Sequence, residues 1–444
     1  MRCEKVMNKK GGVIVFLASI LVAMIMMSMV FVHATREVCG ASYSDAVLQL
    51  AGRSVLSEFD RVLKDEYGIF AFYGFEDAVA DDIRFYASSS FNKTLPGEPL
   101  AGGGVITDLF RLKLMKTEVK LGDYSLIDAD VFEKQIEGYM DYMIAQKGLE
   151  FIRGMWGKTP DETEKEAQSP ERELKNGAEI NSLPSRGNVS NGIDIDAIIS
   201  GGVPSLEKII NAGTVNFKVN EYILSNFKYG VGGDKARDTF FRNEAEYVLY
   251  GNLKDKDNVA RFRSDFVLLR VALNIAHIYS SPEKRSAVAA LAEAFGPVAA
   301  PAADVAITAV WATVEAENDA RLLLAGKNVA LIKSDRNWAI DLKAAVRAKK
   351  IRDDDGEVIG ADVTPKNVKG CISPESDDGL AYRDYLRIFL YLEKKETKLM
   401  RVMDLIQLNL RGSYYEDFLI KDHYAGFSLA AVVSGKKFEY EQKY

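Results

Sequence analysis

An uninterrupted apolar run near the N-terminus constrains this chain more than any other feature. Gly11–Ala34 contains no formally charged side chain. A helix rises about 1.5 Å per residue, so a run of this length can cross a hydrocarbon core of roughly 30 Å. The charged residues before it are mostly basic: Arg2, Glu4, Lys5, Lys9 and Lys10. Because basic flanks stay in the cytoplasm, residues 1–10 are predicted to be a cytoplasmic head, residues 11–35 a transmembrane anchor, and the bulk of the chain extracellular.

Two other interpretations of this run stay open at the level of sequence. A cleavable signal peptide is the first, since Val32, His33 and Ala34 place compact residues before a candidate cut after Ala34. A buried core helix is the second, although it requires neither this length nor a basic head. The apolar segment exceeds the roughly 7–15 residues of a usual signal-peptide core, which favours a retained single-pass anchor in the cell membrane.

Composition indicates an ordinary folded portion behind the anchor. The chain has 444 residues, of which 48% are hydrophobic and 27% charged, enough to bury one or two substantial cores. Its net charge of −7 argues against general nucleic-acid binding, which needs a concentrated basic surface. Three cysteines cannot make a disulfide framework. Cys3 would lie in the cytoplasm, whereas Cys39 and Cys371 would share the outer side, where both pairing and free thiols are open.

The anchor continues into an amphipathic segment. Apolar residues recur at helical spacing on one face: Leu48, Ala51, Val55, Phe59, Val62 and Leu63. One helix from the membrane to about Lys64 fits this pattern, and so does a membrane helix, a short break and a new helix. Further along, Leu109–Leu121 alternates like a strand, and Asp130 with Glu133 predicts the capped start of another helix. Residues 36–157 are therefore predicted to be a stalk helix and a first α+β block.

Residues 158–191 differ sharply from their surroundings. They are rich in Glu, Lys, Ser, Asn and Pro and poor in large apolar side chains. Such a segment buries too little surface to offset its ordering entropy, so it is predicted to be a disordered acidic linker.

Residues 192–444 are predicted to be a mostly helical block, in which one helix is expected over Thr239–Tyr250. Its C-terminal strands, Phe427–Val433 and Lys437–Tyr444 about a turn at Ser434-Gly435, are expected to return to the sheet of the first block. The predicted fold class is α+β. It consists of an N-terminal transmembrane helix continuing into a stalk helix, then a mostly helical extracytoplasmic domain with a small antiparallel sheet.

Reactive residues do not assemble into a recognisable site. His33, His277 and His423 lack metal-ligand or triad spacing to one another. The acidic run Asp353–Glu357 lacks the full spacing of a calcium loop, so a metal at this turn is left open beside a solvated hairpin tip. Neither Gly102–Gly104 nor Gly230–Gly233 ends in the Lys-Ser/Thr of a phosphate loop, and both are predicted to be flexible joints.

Two neighbouring carboxylates do not fit a catalytic pair. Glu244 and Glu246 lie two residues apart on a predicted helix, point in different directions, and are expected to form ion pairs with Arg242 or another basic group. The chain is thus predicted to have no catalytic, cofactor-binding or metal residues and not to be an enzyme.

Several segments carry a resemblance to a known family. They are the basic head and span, Tyr67–Phe70, Phe241–Gly251, Lys327–Ile332 with Trp338, Tyr382–Arg387, and Met403–Gln407. In these the chain resembles an uncharacterised membrane-anchored domain family of Gram-positive bacteria, found alongside components of the Tad (Flp) pilus machinery. The resemblance covers most of the chain except the acidic linker. It implies an outward-facing accessory or pseudopilin-like protein without enzyme activity.

One departure from Tad-type pilins bears on processing. Their precursors are typically cut after a Gly and carry a Glu five residues into the mature helix. Gly12 supplies the Gly, but Leu17 stands where that Glu would fall, which puts prepilin-type processing in doubt.

The expected function is a membrane-anchored accessory component of a Tad/Flp-type pilus assembly system that acts through pilin-like or pilus-assembly partners. A cell-surface or secreted binding protein unrelated to pili, released by cleavage after Ala34, is the alternative. An extracellular hydrolase with an undetected site is a third hypothesis. The sequence gives no indication of oligomeric state.

Overall fold

The computed structural model describes residues 9–91, 112–148, 173–189, 209, 214–233, 237–352, 358–364, 366–368 and 379–444. Within these ranges the chain forms two compact units. The first takes the chain up to Lys64, Phe70–Leu126 and Lys421–Tyr444, and the second takes Asp65–Ile69 and Ile127–Ile420. Many helices and a few short antiparallel strands make up the described chain, which confirms the predicted α+β class.

The helices are α1 (Lys9–Leu56), α2 (Arg61–Tyr67), α3 (Glu76–Phe91), α4 (Ala129–Lys147), α5 (Gly177–Ser182), α6 (Val215–Asn226), α7 (Glu244–Tyr250), α8 (Asp255–Ser280), α9 (Pro282–Glu293), α10 (Ala300–Leu324), α11 (Leu342–Arg347), α12 (Tyr382–Leu392) and α13 (Lys395–Ser413). The strands are β1 (Phe72–Tyr73), β2 (Leu114–Lys120), β3 (Lys349–Arg352), β4 (Val358–Asp362), β5 (His423–Tyr424), β6 (Gly426–Val433) and β7 (Lys436–Lys443).

A three-stranded antiparallel sheet in the order β2-β6-β7 forms the base of the first unit. Its register places Val119 opposite Leu429, and Leu429 opposite Tyr440. The C-terminal hairpin therefore pairs with a strand from far earlier in the chain. Ser434 and Gly435 make its turn with φ of 48° and 87°, the positive values that a two-residue hairpin matching the strand twist requires.

The end of α1 and one face of α3 close the core of this unit against the sheet. Alternate residues of β6 point inward, as a period of two demands. The buried set includes Val47, Leu48, Ala51, Val55, Val79, Ile83, Val119, Phe427, Leu429 and Ala431. At about 25 cal/mol per Å² of apolar surface, burial of these side chains is the main term that holds the sheet to the helix.

The boundary between α1 and α2 combines the two alternatives that the sequence left open. A single helix runs through the apolar segment into the stalk, as one alternative expected, but it ends at Leu56, before Lys64. A short break follows, in which Asp60 N–H donates to Ala71 O at 2.8 Å. The Asp60 carboxylate then accepts from Leu63 N–H at 2.9 Å and so caps the start of α2.

The second unit is predominantly helical. One of its cores gathers apolar side chains from α8, α9, α10 and the following loop: Ile278, Val288, Ala292, Ile307, Trp311, Ala312, Val314 and Ile340.

Gly68, just after α2, occupies a position that only glycine fits. Its φ is +69°, and a Cβ at this position would lie 2.0 Å from the Tyr139 ring. This explains the glycine in the segment Tyr67–Phe70, whose Tyr67 ring stacks on Phe227 with centroids 5.8 Å apart.

Part of the segment expected to be disordered has a defined conformation. Residues 173–189 contain α5, and Leu174 and Leu183 are buried. These two apolar side chains supply the burial that the average composition of residues 158–191 concealed. The other residues of this segment, 158–172 and 190–191, lie outside the described ranges.

Two predicted helix starts shift in the structure. Asp128, two residues before the expected Asp130, caps α4 by accepting from the backbone N–H groups of Asp130 and Val131. The helix expected from Thr239 begins only at Glu244, because Phe240, Arg242 and Asn243 direct their backbone N–H groups to side chains instead.

Candidate functional site

The first half of α1 is the most conspicuous surface of the described chain. Its apolar side chains are exposed, with Val13 58%, Phe16 65% and Met29 68% accessible. All 48 residues of α1 give a length of about 72 Å, more than twice a hydrocarbon core of roughly 30 Å. Among the described residues, one helix is long and apolar enough to span a membrane, and it lies near the N-terminus.

Polar contacts mark the point where α1 meets the folded unit. His33 Nε2 lies 3.7 Å from Glu37 Oε1 on the exposed helix surface. One turn later the helix becomes buried, and Ser44 Oγ donates back to Gly40 O at 2.8 Å. Tyr440 OH then donates to Asp45 Oδ1 at 2.5 Å, which ties the helix to β7. The exposed apolar half of α1 is therefore continuous with a part of the same helix that is packed on the sheet.

Charged substitutions in the apolar half are expected to abolish membrane attachment. Each aspartate at the centre of a spanning helix costs about 3 kcal/mol of insertion free energy. The double variant Val22→Asp, Met26→Asp should consequently leave the membrane fraction on ultracentrifugation of cell lysates. The matched control Leu50→Asp, Ser54→Asp places two charges on the stalk and should sediment with membranes as the wild type does. An unchanged membrane fraction for the first variant would contradict the anchor.

The outer face of the sheet forms a charged groove. The central strand β6 presents the short side chains Ser428 and Ala430, whereas the strands beside it present long charged ones. Glu118 and Lys120 form one wall and Glu439 and Glu441 the other, around a volume of about 600 Å³. An open groove with charged walls differs from the enclosed, mostly apolar pockets that bind small molecules.

Buried charged side chains distinguish the helical unit. The Arg387 guanidinium on α12 is 1% exposed and contacts Glu221 on α6 as well as Asp384 one turn earlier, the latter at 2.7 Å. Their mutual attraction raises the pKa of Arg387, although burial alone would lower it. Pairing of this kind offsets part of the cost of burying the charges.

Glu244 and Glu246 have partners that sequence reasoning missed. Glu244 Oε2 accepts from Lys228 N–H and Glu246 Oε1 from Gly230 N–H, each at 2.8 Å. The two carboxylates thus bind alternate amides of one extended segment, with Tyr382 OH as a further donor to Glu246 at 2.5 Å. Burial raises the pKa of Glu246 to about 7. The expectation was an ion pair with Arg242 or another basic group. These contacts take the place of Arg242, whereas Glu244 does feel the attraction of the basic groups Arg237 and Lys228.

A second polar cluster lies on α13. Lys398 Nζ donates to Asn216 Oδ1 and Asn220 Oδ1, each at 2.6 Å, and to Leu390 O at 2.7 Å. Burial among these neutral acceptors lowers the pKa of Lys398 to about 7. One helical turn and a half away, burial raises the pKa of Asp404 to about 6. Perturbed pKa values can mark active sites, but here the groups face packed helices and serve to join them.

The histidines lie in three separate environments. His33 is exposed on α1, whereas His423 is buried with Nε2 3.7 Å from Asp60 Oδ2. His277 Nε2 lies 3.3 Å from Asp335 Oδ1 and stacks on the Trp338 ring, and burial lowers its pKa. Within the described ranges, no three His, Cys, Asp or Glu side chains are grouped to hold a metal ion.

The remaining sequence features fall into two groups. Asp353–Glu357, Gly102–Gly104 and Cys371 lie outside the described residues, so the acidic-turn metal and the Cys39–Cys371 pairing stay predictions, and Cys39 itself is exposed on α1. In Gly230–Gly233, which was expected to be a flexible joint, Gly230 is held by Glu246 at 2.8 Å. That hydrogen bond fixes the segment at its start.

The apolar helix α1 and the fold behind it define the class of this protein. A helix that is long and apolar enough to span a membrane continues into an α+β portion, which is compatible with a single-pass membrane protein. Residues 166–435, more than half of the chain, match the model of a family of unknown function, DUF5702. The chain belongs to that family. The match begins beyond α1 and the segment Tyr67–Phe70, so those parts of the resemblance lie outside it. No curated protein and no solved structure matches the chain.

Proposed function

We propose that this protein is a membrane-anchored, extracytoplasmic accessory or pseudopilin-like component of a Tad/Flp-type pilus assembly system. In this proposal it works by protein–protein contact and not by catalysis. The observation that carries the proposal is the continuity of α1, whose exposed apolar half becomes a stalk packed on an antiparallel sheet. Such a helix holds a folded portion at a fixed distance from the bilayer.

The basic head, the buried polar side chains and the family resemblance support the orientation, the structural role and the partners in this proposal. The basic residues of the head favour an N-terminus in the cytoplasm and an outward-facing chain. The buried carboxylates and bases of the helical unit are engaged with backbone amides and with one another, which suits a structural role. The resemblance to proteins found beside Tad pilus components supplies the expected partners.

Protease accessibility in intact protoplasts tests the orientation. Protease added from outside should degrade the chain beyond α1 and leave a fragment that contains residues 1–35. Full protection of the chain without detergent would contradict the outward orientation. Sequencing the N-terminus of the mature protein separates the alternative, because a secreted binding protein would begin just after Ala34.

Site-directed photo-crosslinking tests the pilus partners. A photoreactive residue at Glu439, on the wall of the groove, should yield adducts with pilin-like or pilus-assembly proteins when activated in cells. The same photoreactive residue at Leu268, which is 55% exposed on α8 of the helical unit, provides a control that does not line the groove. If photoreactive residues at the exposed positions of the first unit capture no pilus component, the assignment to a pilus system is overturned. This holds even where the protease experiment confirms that the chain faces outward.

A further inference from the structure

One buried lysine of the helical unit lies between two carboxylates. Lys333, in the loop after α10, is 3% exposed at its side chain, and Glu315 and Asp319 are 0% and 1% exposed. Its Nζ lies 2.7 Å from Asp319 Oδ1 and also contacts Glu315 Oε1. The two acids are four residues apart on α10, so they occupy one face of that helix. The three side chains are therefore enclosed together.

Arg270 holds the carboxylate of Asp319 from the other side. Its Nε donates to Asp319 Oδ2 at 2.9 Å, and both residues are buried. The guanidinium is itself fixed, since it donates to Leu331 O at 2.6 Å and to Asn274 Oδ1 at 3.3 Å. A fixed cation at one carboxylate oxygen stabilises negative charge that would develop there if a nucleophile attacked the carbon.

Glu315 is placed to accept a proton from Lys333. Two backbone donors orient its carboxylate, Ala339 N–H to Oε1 at 3.0 Å and Ile340 N–H to Oε2 at 2.8 Å. Burial raises the pKa of Glu315, and repulsion from Asp319 acts in the same direction against the attraction of Lys333. A carboxylate with a raised pKa is the better proton acceptor for an ammonium group.

Aromatic side chains separate the cluster from water. The Lys333 Nζ lies 5.7 Å from the Trp338 ring centroid, and Trp311 packs edge-on against Trp338 at 5.4 Å. Trp311 Nε1 donates to Ile340 O at 2.7 Å, which holds the loop in place. A dry enclosure favours loss of water between an amine and a carboxyl group, because the water formed does not compete with the amine.

We propose that Lys333 and Asp319 become joined by an intramolecular amide bond. Glu315 takes a proton from the ammonium, and the resulting amine attacks Asp319 Cγ, whose charge Arg270 stabilises. The C–N bond forms and the C–O bond to Oδ1 breaks. Glu315 returns its proton to the departing oxygen and then passes on the second proton from the nitrogen, so that Oδ1 leaves as water. One ammonium and one carboxylate thus give one amide and one water, with no oxidant or cofactor.

The product suits the environment better than the ions do. Four buried charges become two, Arg270 and Glu315, so the cluster stays neutral while two desolvated ions disappear. The bond would fasten the loop containing Lys333 to α10 covalently, a permanent link between elements of a unit that already relies on buried polar contacts.

Peptide mapping of the purified full-length protein tests this bond. After denaturation and trypsin digestion, peptide 286–321, which carries Asp319, should be joined to peptide 328–336, which carries an uncleaved Lys333. The mass of the joined species should equal the sum of the two peptides less one water. Recovery of both as separate peptides, with cleavage at Lys333, would overturn the proposal and leave an ionic cluster.

Three variants separate chemistry from folding. Lys333→Met should give no joined peptide, and Glu315→Gln should lower the joined fraction at least about tenfold, because the proton acceptor is gone. Lys284→Met is the matched control, since Lys284 also contacts the Trp338 ring but pairs with the exposed Asp335. This control should leave the joined peptide unchanged. A joined fraction in Glu315→Gln equal to the wild type would contradict the role given to Glu315.

Discussion

Replacing Arg387 by methionine is expected to lower the free energy of unfolding of the helical unit by about 3–5 kcal/mol. The change removes the cation that contacts both Glu221 and Asp384, each of them 1% exposed or less. Methionine fills a similar volume, so the loss comes from two buried carboxylates that lose their shared cation and not from a cavity. Of the two, Glu221 keeps a contact with the more distant Arg383, whose Nη2 lies 3.7 Å from Glu221 Oε2. Urea unfolding followed by fluorescence of Trp311 and Trp338, which lie in the same unit, measures this difference.

Two further variants make the Arg387 result interpretable. Lys254→Met removes a cation that pairs with Glu173 at 3.4 Å in a half-exposed setting, and it should change stability by less than about 1 kcal/mol. The double variant Glu221→Gln, Arg387→Met should be more stable than Arg387→Met alone, because one uncompensated charge has gone. Equal stability of Arg387→Met and the wild type would show that the pair contributes nothing.

The parts of the fold that sequence predicts well are those with a local, periodic signal. The apolar run before Arg36 specifies the exposed half of α1 by composition alone. The hairpin β6–β7 can be predicted from the sequence too, since apolar and polar side chains alternate on either side of the Ser434-Gly435 turn. In each case the physical cause acts over a few neighbouring residues, which a single sequence displays directly.

The buried polar contacts could not be predicted, because their causes lie far apart in the chain. Arg387 and Lys398 look like solvated charges on helix surfaces, as most such residues are. Their partners Glu221 and Asn216 lie more than 150 residues earlier, at separations of 166 and 182. The same limit applies to Glu246, whose partner Tyr382 is 136 residues away. No spacing rule connects such positions.

The disorder prediction for residues 158–191 failed locally for a related reason. Composition averages a whole segment, but two apolar side chains, Leu174 and Leu183, suffice to fix a short stretch when a core receives them. A polar contact adds to this, since Ser185 N–H donates to Asp404 Oδ1 at 3.0 Å. That acceptor lies on α13, more than two hundred positions later in the chain.

The buried Glu246 is expected to make stability depend on pH between about 4.5 and 7. Its pKa is raised to about 7 by burial, whereas in the unfolded chain it has the ordinary value of 4.5. Between these values the folded state binds more protons than the unfolded state. Stability is therefore fully present below pH 4.5 and is lost as the pH rises through 7, by about 3 kcal/mol.

The variant Glu246→Gln isolates this contribution from other groups that titrate nearby. Its amide oxygen can still accept from Gly230 N–H and Tyr382 OH, but the side chain no longer ionises. The difference in unfolding free energy between variant and wild type should shift in favour of the variant by about 3 kcal/mol from pH 4.5 to pH 8. Asp404 and Lys398 are present in both proteins, so their titration cancels in this difference. A constant difference across that range would mean that Glu246 is ionised in the folded protein at all these pH values, and that its backbone and tyrosine donors outweigh its burial.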